Sequence, residues 1–103
     1  MDIIAVLTTT DSLAEAQAIA SALVERKLAA CVQISNIESF YSWEGATQND
    51  REHRLLIKTT RERYEDVQAA ILGLHSYDLP AVVAVEFSDA YPRFAEWVAG
   101  SVE

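Results

Sequence analysis

The longest pattern of alternating side chains runs from Ala29 to Thr60 and predicts one long two-stranded hairpin. On its first arm Ala30, Val32 and Ile34 share one face, whereas the apolar residues further along have the opposite parity. Because side chains on a strand alternate with a period of 2, such a change of phase requires an extra residue or a sharp bend. We therefore predict a β-bulge near residues 35–36.

The turn of this hairpin is predicted within residues 44–50, where Gly45 and Asp50 are residue types that favour turns. The return arm, residues 52–60, alternates again and places Leu55 and Ile57 on one face. An arm of about 15 residues spans ~50 Å, whereas a compact domain of about 100 residues is roughly 35 Å across. The hairpin is predicted to extend beyond its own domain. The alternative is that the bulge divides the arm into two ordinary strands within one monomer.

The remaining chain contains two short apolar segments and three helical patterns. Residues 3–8 and 81–87 are apolar at both parities, which is typical of strands covered on both faces. Helices are predicted at 12–27, at 61–74 and from 92 to the C-terminus, and the first two follow S/T-x-x-E capping boxes that begin at Ser12 and Thr59. The order βαββαβ plus a terminal helix predicts a single α+β domain over residues 1–103, a ferredoxin-like sandwich.

A ferredoxin-like sandwich leaves one face of its sheet without helices. Because the strands at 3–8 and 81–87 are apolar at both parities, that second face must also be covered. The terminal helix can cover a part of it, and neighbouring copies of the chain are the favoured cover for the rest. Together with the long hairpin, this predicts an obligate homo-oligomer.

The composition restricts the classes of partner and the location that we expect for this protein. A formal net charge of −8 over 103 residues disfavours nucleic acids and anionic membranes as partners and permits the attraction of cations. The single cysteine, Cys31, rules out an intrachain disulfide, and its apolar neighbours indicate a buried core residue. The chain begins without a basic signal-peptide segment and lacks an apolar run of ~20 residues, so we predict a cytoplasmic protein.

The sequence contains no local metal motif such as CxxC, HExxH or an EF-hand loop, so a metal site would need ligands from separate segments. Trp43, Glu44 and Lys58 are candidates for lining one cleft, where Glu44 and Glu52 would offer oxygen ligands to a hard cation. The alternative is structural: Trp43 packs against a neighbouring subunit and Lys58 forms an ion pair.

Four segments resemble the CutA family of divalent-cation tolerance proteins, in the order and at the spacing of that family. They are LAACV at 28–32, YSWEG at 41–45, Glu52 followed by LLIKT at 55–59, and HSYDLP at 75–80. The resemblance covers nearly the whole chain. It implies a ferredoxin-like subunit that forms a trimer through its long strands and has a role in the homeostasis of copper and other divalent metals, with no required cofactor.

The resemblance also implies a ligand cleft between subunits, with His75 as the candidate metal ligand and Tyr77 and Asp78 beside it. The alternative for His75 is a histidine at a helix C-terminus that interacts with the helix dipole. The chain departs from the family pattern because Ser76 and Asp78 replace the usual Pro and Glu, and because Thr8 stands where some copper-binding members have cysteine. A tight copper site of soft ligands is therefore not expected.

A second hypothesis is a trimeric small-ligand regulatory or scaffold module, similar to PII, that binds an organic anion through Lys58 and His75. An enzyme is disfavoured because no glycine-rich phosphate loop follows the first strand, where the chain reads TTTD at 8–11. RNA recognition is disfavoured because the return arm carries no paired aromatic residues.

Overall fold

The computed structural model describes residues 2–103 and confirms an α+β ferredoxin-like sandwich. A four-stranded antiparallel sheet has the order β2-β3-β1-β4. The elements are β1 (Ile3–Thr10), α1 (Leu13–Glu25), β2 (Cys31–Trp43), β3 (Ala46–Thr60), α2 (Tyr64–Leu74), β4 (Val83–Glu86) and α3 (Pro92–Ser101), with a 3-10 turn at Arg61–Arg63 before α2. Within the described residues, no helix is both long enough and apolar enough to cross a bilayer.

The hairpin of β2 and β3 keeps one register over its whole length. Its pairs run from Cys31 opposite Lys58 to Trp43 opposite Ala46, without an extra residue on either strand. The predicted bulge near residues 35–36 is therefore wrong.

The change of apolar phase has a different cause, which is a change in the covered face. In the half of the hairpin near the helices, Val32 and Ile34 pack against the core beneath α1 and α2. We call this side of the sheet the helix face and the other side the open face. Beyond the helices, the half-buried Ile37 and the buried Glu52 form a cross-strand pair on the open face. Strand β2 therefore stays regular, but its buried residues lie on the helix face in the near half and on the open face further along.

The turn is shorter than predicted. Glu44 and Gly45 alone connect the strands, with φ of 51° and 80°. Positive φ at both central positions is typical of a type I′ turn, whose twist matches the strands on either side. The 15 residues of β3 give the molecule a long dimension of 45 Å, which agrees with the predicted extension beyond a compact domain.

The main core lies between the helix face and the helices α1 and α2. Its fully buried side chains include Val6, Ile19, Leu55 and Ile57. The predicted start of α1 is confirmed, because the Ser12 hydroxyl accepts a hydrogen bond from the backbone N–H of Glu15 at 3.2 Å.

The second predicted capping box is wrong, because Thr59 lies inside β3. The Thr59 hydroxyl donates to the backbone carbonyl of Leu28 at 2.7 Å, and it therefore cannot cap the helix that follows. This bond connects β3 to the loop before β2.

Helix α3 covers only a part of the open face. Val98 and Ala5 are fully buried there, and the Lys58 ammonium lies 5.3 Å from the centre of the Phe94 ring. Strand β4 is shorter than predicted and exposed, with Val83 53% accessible. Within one chain, both faces are covered over most of β1, and the predicted cover of β4 by a neighbouring copy stays a prediction.

Candidate functional site

The loop between α2 and β4 passes around the end of the sheet and begins with His75. The imidazole is fully buried. Its Nε2 lies 2.7 Å from the carbonyl oxygen of Thr9, and its Nδ1 lies 3.1 Å from the backbone nitrogen of Tyr77. Because a carbonyl can only accept and an amide N–H can only donate, Nε2 carries the proton and Nδ1 accepts. His75 is therefore a neutral imidazole with both nitrogens engaged.

Glu15 completes the cluster around this histidine. Its Oε2 lies 3.7 Å from His75 Nδ1 and accepts hydrogen bonds from the hydroxyls of Thr10 and Ser76, the second at 3.1 Å. Burial opposes ionisation, but the hydrogen bonds from the Thr10 hydroxyl and from the side chain and backbone of Ser76 outweigh it. The pKa of the Glu15 carboxyl is therefore lowered from its ordinary value of 4.5.

Tyr77 lies where the loop reaches the open face of the sheet. Its ring lies 4.7 Å from the His75 ring, and its hydroxyl donates to Glu52 Oε2 at 2.7 Å. Burial first, and then the bond to Glu52, raise the pKa of Tyr77 well above its ordinary value. A continuous series of side-chain contacts thus runs from Glu15 through His75 and Tyr77 to Glu52.

A groove with a volume of about 600 Å³ lies between this loop and the distal part of the hairpin. Four of the predicted cleft residues line it, namely Trp43, Glu52, Tyr77 and Asp78. Tyr41 and Trp43 form an aromatic wall on the hairpin side, whereas the register places the side chain of Phe40 on the helix face. The sequence therefore named four of the ten residues that line the groove.

Three other predicted residues lie elsewhere. Glu44 is exposed in the turn, and Lys58 lies against Phe94. Within residues 2–103, Trp43 and Lys58 do not line one groove and Lys58 forms no ion pair. A shared cleft between subunits stays a prediction. His75 does not line the groove, because Tyr77 lies between it and the groove.

Glu15 lies at the site but was not predicted as a site residue. The capping pattern explained this glutamate locally, but its side chain binds Thr10 and Ser76 instead. Cys31 also differs from expectation, because it is only partly buried and its pairing with Lys58 places it on the open face.

The side chains of residues 2–103 do not assemble a metal centre within one chain. No three His, Cys, Asp or Glu residues of this range come together in a geometry that would hold an ion. A metal ion would bind His75 only after one of its two hydrogen bonds had broken. Metal binding by His75 stays a prediction.

These features define a class, the ferredoxin-like α+β domains with an elongated central hairpin. Within that class, residues 4–101 match the family of CutA1 divalent ion tolerance proteins, and the chain belongs to this family.

Individual relatives are similar over nearly their full length. The divalent-cation tolerance proteins CutA of Archaeoglobus fulgidus and Thermus thermophilus are 38% and 37% identical over 95 and 94 residues, which span 93% and 91% of those proteins and 92% and 90% of this chain. The solved structure of the Archaeoglobus protein superimposes with a TM-score of 0.95 at 36% identity, over 98% of this chain and 99% of that one. The Oryza sativa CutA1 structure gives 0.96 at 33% identity, over 100% and 95%.

Proposed function

We propose that this chain is a homotrimeric divalent-cation tolerance protein that responds to copper and other divalent metals by binding them, without catalytic turnover. Membership of the CutA1 family supports the tolerance role. The observation that carries the assembly is the uncovered part of the open face.

Apolar side chains align across that face. The register places Leu56 beside Leu7, and Leu7 beside Val83. The chain exposes 6459 Å² of surface, compared with about 5,800 Å² expected for a monomer of its mass. Leu7 and Leu56 are half-buried, and Val83 is exposed. Packing these faces against one another in three copies would remove the remaining apolar surface of this row from water and support the extended hairpin.

Metal binding is proposed at the groove, at the boundary between copies. Glu52 and Asp78 supply oxygen ligands there, and the net charge of −8 attracts cations. Because no described cluster within one chain is sufficient, the remaining ligands come from a second copy. Carboxylate oxygens favour hard cations over copper in its soft, reduced state, so copper binding is expected to be weak.

The absence of turnover is supported by the state of His75. Histidine is the commonest general base, but this imidazole is buried and both of its nitrogens are engaged. We also propose a cytoplasmic location. Relatives differ in this respect: the Arabidopsis thaliana protein, of which this chain spans 54%, is named chloroplastic, and the Archaeoglobus structure is called periplasmic.

An organic anion is a weaker candidate for the groove. That hypothesis relied on Lys58 and His75 for positive charge. Lys58 lies against Phe94, and His75 is neutral in this arrangement. The groove instead presents the carboxyl groups of Glu52 and Asp78, which would repel an anion when ionised.

The experiment is a calorimetric titration of the assembled protein with zinc and copper. We expect binding at millimolar concentration or below, weakened in Glu52→Gln and unchanged in Glu38→Gln, a carboxylate on the same hairpin that does not line the groove. His75→Ala tests the predicted histidine ligand, and its melting curve shows whether the buried site still folds. If no divalent cation binds at millimolar concentration, the metal part of the proposal fails.

A further inference from the structure

Glu52 has an unusual environment for a buried carboxylate. It is only 7% exposed. Within residues 2–103, its one side-chain hydrogen bond comes from Tyr77, and no Lys, Arg or His nitrogen lies within 4.0 Å of it. Buried acidic residues are almost always paired with a cation or fully hydrogen-bonded. The groove therefore lacks a positive partner within the described chain.

We propose that the groove binds a small organic cation, with an alkylammonium or quaternary ammonium group held between Glu52 and the aromatic wall. This inference goes beyond the metal-binding function proposed above. Tyr77 holds Oε2 of Glu52 in place, whereas Oε1 makes no hydrogen bond within residues 2–103 and is not completely buried.

The aromatic wall supplies the second half of the recognition. Tyr41 and Trp43, which share the open face with Glu52, are 43% and 45% exposed and line the groove. The face of an aromatic ring attracts a cation through its quadrupole, and the attraction is strongest for Trp and for cations that shed water easily. Aromatic rings around a carboxylate are therefore suited to a weakly hydrated organic cation.

The volume of the groove and the sign of its charges favour a small organic cation. A volume of about 600 Å³ lies within the range of small-molecule pockets, roughly 300–1,000 Å³. A metal ion bound by the carboxylates would fill only a part of that volume, so the groove has room for a larger ligand beside the aromatic rings. An organic anion would face the carboxylates of Glu52 and Asp78 with the wrong sign.

The test uses choline and its uncharged carbon isostere, in which a tert-butyl group replaces the trimethylammonium group. Both are titrated calorimetrically into the assembled wild-type protein. The two probes have nearly the same shape, so the difference in affinity measures the positive charge. We expect choline to bind about tenfold or more tightly than the isostere, as one desolvated charge contact provides.

Variants locate the site. Glu52→Gln should weaken choline binding about tenfold and remove the preference for it over the isostere, and Trp43→Leu should weaken choline binding several-fold. Glu38→Gln, on the helix-face side of the same hairpin, should bind choline as the wild type does. Sedimentation of each variant establishes that assembly is retained.

Three outcomes would overturn the inference: no binding of choline by the assembled protein, equal binding of the isostere, or unchanged binding by Glu52→Gln. A trimer that binds zinc but not choline would overturn this inference alone. A chain that binds choline but neither assembles nor binds a metal would overturn the proposed function and leave this inference intact.

Discussion

The two halves of the hairpin differ in what covers them, although they are parts of the same two strands. In the near half, β2 residues 31–36 pair with β3 residues 53–58, and Leu55 and Ile57 are fully buried against the helices. In the distal half, residues 37–43 pair with 46–52, and large aromatic side chains are exposed. One regular ribbon thus serves both as part of a core and as a projecting surface. Its register is independent of where the core ends.

The largest expected effect is on the stability of the near half. Ile57→Ala removes fully buried methyl groups from the main core and should lower the free energy of unfolding by about 2–5 kcal/mol. Leu72→Ala, at an exposed position of α2, is the matched control and should change it by less than about 0.5 kcal/mol. Urea unfolding measures both. Equal losses would show that the near half is not the stable part of the fold.

The second effect concerns the distal half and assembly. Trp43→Asp places a charge on a surface that we propose lies between copies, and should weaken association by about 2 kcal/mol or more. Both the sedimenting mass and the melting temperature should fall. Leu72→Asp changes a similarly exposed apolar residue on the helix layer and should leave the mass unchanged. A Trp43→Asp variant that assembles and melts like the wild type would refute our placement of Trp43.

The third effect is at the turn that joins the two halves. Gly45 has a φ of 80°, a conformation that a residue with a Cβ adopts at a cost of about 1–2 kcal/mol. Gly45→Ala should therefore lower the melting temperature. Gly73→Ala in α2 meets no atom within 4 Å and should stabilise the helix by about 0.5–1 kcal/mol. Thermal unfolding should give shifts of opposite sign, and shifts of the same sign would contradict the turn geometry.

The smallest expected effect is on the pH dependence of folding stability, to which Glu15 contributes. Its pKa is lowered in the folded state, so its stabilisation is present above the ordinary pKa of 4.5 and is lost as the pH falls through the folded-state value. Glu15→Gln should reduce the loss of stability between neutral pH and pH values below 4.5, measured by urea unfolding. Glu25→Gln is the control, since Glu25 makes no side-chain hydrogen bond within the described residues. If Glu15→Gln and Glu25→Gln lose the same stability over this pH range, the hydrogen bonds to Glu15 do not stabilise the fold.

The parts of the fold that depend on local pattern could be predicted from the sequence. Alternation over residues 29–60 indicated the hairpin, and the spacing of polar and apolar residues indicated the helices. The bulge prediction failed because it assumed that one face of a strand is covered throughout. The short turn was missed because Glu44–Gly45 is not one of the dipeptides that mark such turns, such as Asn-Gly.

The site was only partly predictable for a related reason. Trp43, Glu52, Tyr77 and Asp78 were identified individually, but no pattern along the chain states that they surround one groove. The bond between Ser76 and Glu15 joins residues 61 positions apart. Such contacts arise from the packing of the loop on the sheet and have no local sequence signal.

The central claim is that the uncovered sheet face and the projecting hairpin require other copies of the chain. Analytical ultracentrifugation at micromolar concentration tests it most directly. The account predicts a species of three times the 11.4 kDa chain mass, with a melting temperature that rises with protein concentration. A folded, stable single chain of 11.4 kDa at the same concentration would contradict it.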